Sequence, residues 1–276
     1  MMTALYWDRT TLVRWFSISA AALLCASLAR CEPLDRLVRE YREKPSPARR
    51  TALTQYAARH SAQQDGALAS LALGVLEYES RSFDSAAAHL KPLAARLPLL
   101  KDYIVAFAAA SHLAAGRETQ ALALANGALN LRPASPATGR AVLTAAAALN
   151  KLNRPLEAVH LLQTHLADLP QAEGHALLAE CLEAAGQPEQ AAGAYQKVYY
   201  EYPVSREAPA AAAALARLQR SLGERFPPPP AQLMLSRAEK LMAGREYAKA
   251  RAEYLLAAER AGGHERDLAR VRAGAA

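Results

Sequence analysis

Five alanines, Ala86, Ala121, Ala158, Ala191 and Ala250, can be overlaid so that the residues following them fall into step. Four positions on stand Leu90, Ala125, Leu162, Tyr195 and Tyr254; seven on stand Leu93, Ala128, His165, Val198 and Ala257. Twelve positions after the first four alanines come Pro98, Pro133, Pro170 and Pro203, spaced by 35, 37 and 33 residues. Periods of roughly 20–50 residues mark stacked supersecondary units, none of which can bury its apolar side alone. Inside each unit the spacing is that of a helix. Residues four and seven apart share a face, and a small alanine lets a second helix approach closely. Proline closes the helix because it has no N–H and clashes with the preceding turn. Gly116 and Gly186, five residues before their alanines, mark turns that need a positive φ. Pro155 and Pro188 fall at helix starts, where a missing donor is harmless.

Composition agrees with helix. Hydrophobic residues make up 52% of the 276-residue chain but aromatics only 6%, so its apolar content is alanine and leucine, the best helix formers. Alternating runs of Val, Ile and Thr are absent, and an all-α fold is expected. The phase resembles the tetratricopeptide repeat (TPR), whose period is about 34 residues, over residues 65–262. The resemblance implies an α-solenoid of antiparallel helix hairpins. The large apolar residue early in that motif is here Ser70, Val105, Val142 and His175. Its glycine survives as Gly74 and is replaced by Ala109, Ala146 and Ala179.

The expected organisation is a signal peptide over 1–29, capping helices over 30–64 with Ser46-Pro47 as a helix start, and four repeats over 65–204. An extra alanine-rich helix and a four-proline spacer follow over 205–230, then a fifth hairpin and a truncated helix over 231–276. The stop at Ala273-Gly274-Ala275-Ala276 suggests the front portion of a longer polypeptide.

Arg9 and Arg14 precede an apolar stretch, Trp15 to Leu24, which is shorter than the roughly 20 helical residues that span a bilayer. Small residues Ser27 and Ala29 then place cleavage after Ala29, and export to the periplasm is expected. Leu28-Ala29-Arg30-Cys31 resembles a lipobox, with Arg30 where that pattern carries a small residue; a lipid anchor at Cys31 is the alternative. Cys31 and Cys181 would remain after cleavage; they have no zinc-like spacing, and a disulfide between them stays open. Cys181 reads as a small core residue. The net charge of +7 is spread among interleaved acids and bases, as on a solvated surface, so nucleic acid is not an expected partner.

No phosphate loop, G-x-S-x-G or H-E-x-x-H segment occurs, and the seven histidines do not cluster. Neither cofactor nor metal is expected. Glu79-Ser80 matches the pair that opens the catalytic motif of lytic transglycosylases, but the Gly-Leu-Met-Gln-type segment is missing. Leu97-Pro98-Leu99-Leu100-Lys101-Asp102-Tyr103, Leu113-Ala114-Ala115-Gly116 and Tyr202-Pro203-Val204-Ser205 resemble junctions in the superhelical region of soluble lytic murein transglycosylases. That likeness implies a non-catalytic periplasmic scaffold guiding peptidoglycan strands to a catalytic domain absent from this chain. The alternative is an exported TPR adaptor binding a protein or peptide at the envelope. By TPR phase its groove would carry Tyr103, Arg140, Asn150, Lys151, Glu173, Glu180 and Glu183. The carboxylate-clamp positions of chaperone-tail receptors hold Leu71, Ala106, Leu143 and Ala176, so that receptor class is not expected.

Overall fold

A computed structural model of the protein describes residues 32–131, 135–229 and 231–276. The proposed signal peptide, Cys31, Pro133 and Pro230 lie outside the described residues. Those residues are helical, with no strand among them, and their contacts divide them into two compact units at Ala137/Thr138.

The first unit holds α1 (Glu32–Glu43), α2 (Pro47–Arg59), α3 (Gln64–Glu79), α4 (Phe83–Leu90), the single turn α5 (Leu93–Arg96), α6 (Lys101–Ala114) and α7 (Glu118–Leu129). Sequential neighbours α1 and α2, α3 and α4, and α6 and α7 pack as pairs, while α3 also touches α1 and α6. The start of α2 was legible: Ser46 caps it, its Oγ accepting the Arg49 N–H at 3.3 Å, and Pro47 occupies the first turn. Leu34, Leu53 and Leu73 centre one apolar cluster; Leu90, Leu93 and Ile104 centre another.

The second unit holds α8 (Thr138–Lys151), α9 (Pro155–His165), α10 (Gln171–Ala184), α11 (Pro188–Glu201), α12 (Ala208–Leu222), α13 (Ala231–Ala243), α14 (Tyr247–Arg260) and α15 (Gly263–Ala275). Here α8 pairs with α9, α10 with α11, and α13 with α14, and α8 also meets α10. Both α12 and α13 pack on α11, and α15 packs on α14. Pro155 and Pro188 are the first residues of α9 and α11, as their missing N–H allows.

All five phased alanines are fully buried, at 0% exposure. Five residues before each stands a left-handed residue: Arg81, Gly116, Asn153, Gly186 and Arg245, with φ of 62, 71, 59, 72 and 61°. The next residue in each case returns its N–H to the carbonyl five back: Ser82 to Glu77, Arg117 to His112, Arg154 to Leu149, Gln187 to Leu182 and Glu246 to Leu241, at 2.8–2.9 Å. This is the Schellman closure, which satisfies carbonyls that a helix end would otherwise leave unpaired. The glycines at 116 and 186 marked only two of the five turns, because arginine and asparagine hold the others.

Gly74 has its own reason. A Cβ there would lie 2.7 Å from Cγ of Leu90, the large residue one turn after Ala86. Each unit also carries polar pairs one period apart in sequence. Asp84 meets Arg117 and Asp102 meets Ser135 in the first. In the second, Glu173 meets Arg206, Glu183 meets Arg217 and Glu239 meets Arg272. Every separation is 33 or 34 residues, so one helix pair is tied to the segment that follows it at an equivalent place.

A left-handed L-residue costs roughly 1–2 kcal/mol, which glycine avoids at the expense of a more flexible unfolded chain. Arg245→Gly is therefore expected to stabilise the protein by about 0.5–1 kcal/mol, seen as a raised urea midpoint at unchanged slope. A lowered midpoint would mean that the arginine side chain holds that turn by contacts outweighing its strain. Asn153→Gly should gain less, since asparagine tolerates this region better than arginine.

Candidate functional site

The expected groove residues fall in both units. Tyr103 lies in the first turn of α6, half-buried, its hydroxyl pKa raised by burial and then by the Asp102 charge. The other six belong to the second unit. Arg140 and Lys151 are exposed near the two ends of α8, and Asn150 is half-buried with its Oδ1 enclosed and without a hydrogen-bond partner among the described residues.

The α10 carboxylates are largely engaged within the protein. Glu183 receives both nitrogens of the Arg217 fork, at 2.6 and 2.9 Å, and the Tyr195 hydroxyl at 3.2 Å. Glu173 lies 3.4 Å from Arg206. Glu180 is open to solvent on one side and crowded by protein on the other. That partial desolvation, then the charge of Glu183, raises its carboxyl pKa. Cys181, between them in sequence, is fully buried, and burial pushes its thiol up to about 12. It is a core residue, as expected.

The Glu79-Ser80 pair terminates α3. Glu79 is exposed, and Ser80 donates its hydroxyl to the Leu76 carbonyl at 2.9 Å, closing the helix end. The buried carboxylate nearby is Glu77, at 1% exposure. Its Oε1 accepts from Arg50 Nε and Nη2 of α2, at 2.9 and 2.6 Å, and its Oε2 accepts from His89 Nδ1 of α4 at 2.7 Å. Burial opposes ionisation of Glu77, but the hydrogen bonds from His89 and Arg50 outweigh it and hold its pKa low. The same bond to Glu77 raises the His89 pKa against the effect of burial. Above this brace lies an open recess of about 580 Å³, edged by Tyr41 of α1, Pro47, Arg50, Thr51 and Gln55 of α2, and His89.

The brace dictates a pH window. A raised His89 pKa contributes stability that is complete below the ordinary histidine value, about 6.5, and is lost as pH rises through the folded value. A lowered Glu77 pKa contributes above the ordinary carboxylate value, about 4.3, and is lost as pH falls through the folded value. The full contribution therefore lies between these limits. Wild type should exceed His89→Gln by about 1–2 kcal/mol near pH 6, as expected for a hydrogen bond to a charged group. The gap should shrink by pH 9, as followed by urea unfolding. A pH-independent gap would mean that the charge on His89 contributes nothing.

This cluster was invisible to motif searching because its members are 27 and 12 residues apart and come from three helices. The one available signal was the apolar phase of α3, which puts Glu77 on the inward face, four residues after buried Leu73. Among the described residues there is no group of three His, Cys, Asp or Glu that could hold a metal ion, and no helix long and apolar enough to cross a membrane. No family model matches this chain, and no curated protein is found to be similar to it.

Proposed function

We propose that the chain is an exported, non-catalytic binding scaffold built as a TPR-like α-solenoid, which guides peptidoglycan strands in the periplasm for a catalytic domain outside this chain. The observation that carries the repeat reading is the fivefold recurrence of a left-handed turn five residues before a fully buried alanine. The first four recurrences are 35, 37 and 33 residues apart and the fifth follows after 59, across the extra helix α12 and the proline run. Ordinary helical bundles have no reason to repeat that device at such spacings, whereas stacked hairpins reuse it at every turn. The export reading rests on the leader sequence, and the glycan reading on the junction motifs around Pro98 and Pro203.

The test is a pull-down of the chain with purified sacculi, at low and high salt, beside a turnover assay on the same glycan. Retention at low salt without turnover is the expected result. Failure to bind sacculi, with peptide-array binding that Arg140→Glu abolishes, would replace the glycan guide with an exported adaptor. Glycan cleavage by this chain alone would overturn the scaffold reading, and Glu79→Gln should leave any such signal unchanged because Glu79 only ends a helix.

A further inference from the structure

The geometry points to a binding site for a small carboxylate-bearing ligand in the recess over the Arg50–Glu77–His89 brace of the first unit. This inference does not rest on the glycan reading, and none of the expected groove residues edges the recess.

Two cations set side by side repel one another, and burying a carboxylate beneath them costs several kcal/mol of desolvation. An apolar trio would hold α2, α3 and α4 together at least as well, so the ionic arrangement is poorly explained by stability alone. What it does achieve is orientation. Both Glu77 oxygens are spent, one on Arg50 and one on His89, which fixes each cation by its inner nitrogens. The Ser85 carbonyl, 3.0 Å from the same His89 nitrogen, also holds that proton on Nδ1. Among the described residues, Nη1 of Arg50 and Nε2 of His89 have no hydrogen-bond partner and are left for another molecule. The two side chains are 46% and 29% exposed, against 1% for Glu77, and both edge the recess.

With Glu77 ionised and His89 protonated, the trio carries a net single positive charge. That matches one carboxylate, which the free guanidinium nitrogen and the imidazolium N–H could bind together. The recess volume of about 580 Å³ lies within the range of small-ligand sites. Its walls suit an amphipathic molecule: the Tyr41 ring and the Pro45 and Pro47 rings offer apolar surface, while Thr51 and Gln55 offer hydrogen bonds. Charge also sets the pH response. Neutral His89, with its proton on Nδ1, would present an acceptor at Nε2 and repel the ligand oxygen, so binding should weaken as pH rises through the His89 pKa. Glu77 and Arg50 are the charged groups that set that value.

The test is calorimetric titration of the full chain at pH 6 with two acids, N-acetyl-alanyl-alanine and glucuronate, and with the peptide amide and glucose as neutral counterparts. Saturable binding of either acid, absent for its neutral counterpart and at least tenfold weaker at pH 9, is expected. Binding of the peptide acid alone would identify a chain terminus as the source, and of glucuronate alone a sugar acid. Arg50→Gln should weaken binding at least tenfold. Should that variant fold poorly, Thr51→Trp fills the recess from an exposed position, leaves the brace intact, and should abolish binding. Absence of saturable binding by both acids up to about 10 mM, a limit corresponding to less than 3 kcal/mol of affinity, would overturn the proposal. So would binding that both substitutions leave unchanged.

Discussion

Arg237→Ala is expected to cost roughly 3–5 kcal/mol, the range for stranding one partner of a buried ion pair. Arg237 on α13 is 8% exposed and Glu253 on α14 is 6% exposed. The guanidinium pairs with Glu253, lies 3.8 Å from the centre of the Tyr199 ring, and donates from Nε to the Tyr199 carbonyl at 3.0 Å. Tyr199 closes the circle by donating its hydroxyl to Glu253 at 2.9 Å. Burial, then the charge of Glu253, pushes its phenol up to about 12, so it stays a donor at every physiological pH. Removing Arg237 leaves a buried carboxylate without its cation and takes the Nε donor from the carbonyl near the end of α11. The joint of α11, α13 and α14 should loosen first. Urea unfolding gives the magnitude, and the double variant Arg237→Met/Glu253→Leu should cost less than either single change because no charge is then stranded. A loss below about 1 kcal/mol for Arg237→Ala would show that solvent reaches Glu253 and that the joint is held by apolar contact instead.

Ala191→Leu tests the phase itself. Ala191 is at 0% exposure on α11, which is packed against α10, α12 and α13. Added methylenes in such a place force neighbouring helices apart, and the expected loss is about 1–3 kcal/mol. Gly193, two residues on, faces open space, with nothing within 4 Å of an added Cβ. Gly193→Ala should therefore stabilise α11 by up to about 1 kcal/mol through helix propensity alone. Opposite signs from two small-residue changes in one helix would separate contact from propensity. A neutral Ala191→Leu would remove the alanines as points of close approach.

The helical architecture was legible because its determinants are local or periodic. A buried alanine, a residue four on, a proline at a helix start and a serine cap each act within one or two turns, and recurrence made them stand out. The left-handed conformation of Arg81, Asn153 and Arg245 was not read because composition flags only glycine, although the same five-residue offset from the alanine identifies them. The polar contacts were harder. Glu173 and Glu183 read as groove acids, yet each meets an arginine 33 or 34 residues on. Comparing charges 33 or 34 residues apart would have paired them. Glu77, Arg50 and His89 follow no period, and only the folded arrangement of three helices brings them together. The proposed leader and cleavage site concern residues outside the described structure and stand on the sequence alone.

The enclosure of Cys181 gives the second unit a built-in clock. A thiol fully shielded from solvent, with its ionisation pushed up to about 12, is a very poor nucleophile while α10 stays in place. In a background of Cys25→Ser and Cys31→Ser it would be the sole thiol, since the chain has 3 cysteines. The pace at which an alkylating reagent modifies it would then count openings around α10 directly. Ligands or substitutions that tighten or slacken that helix could be ranked by labelling rate under fully native conditions.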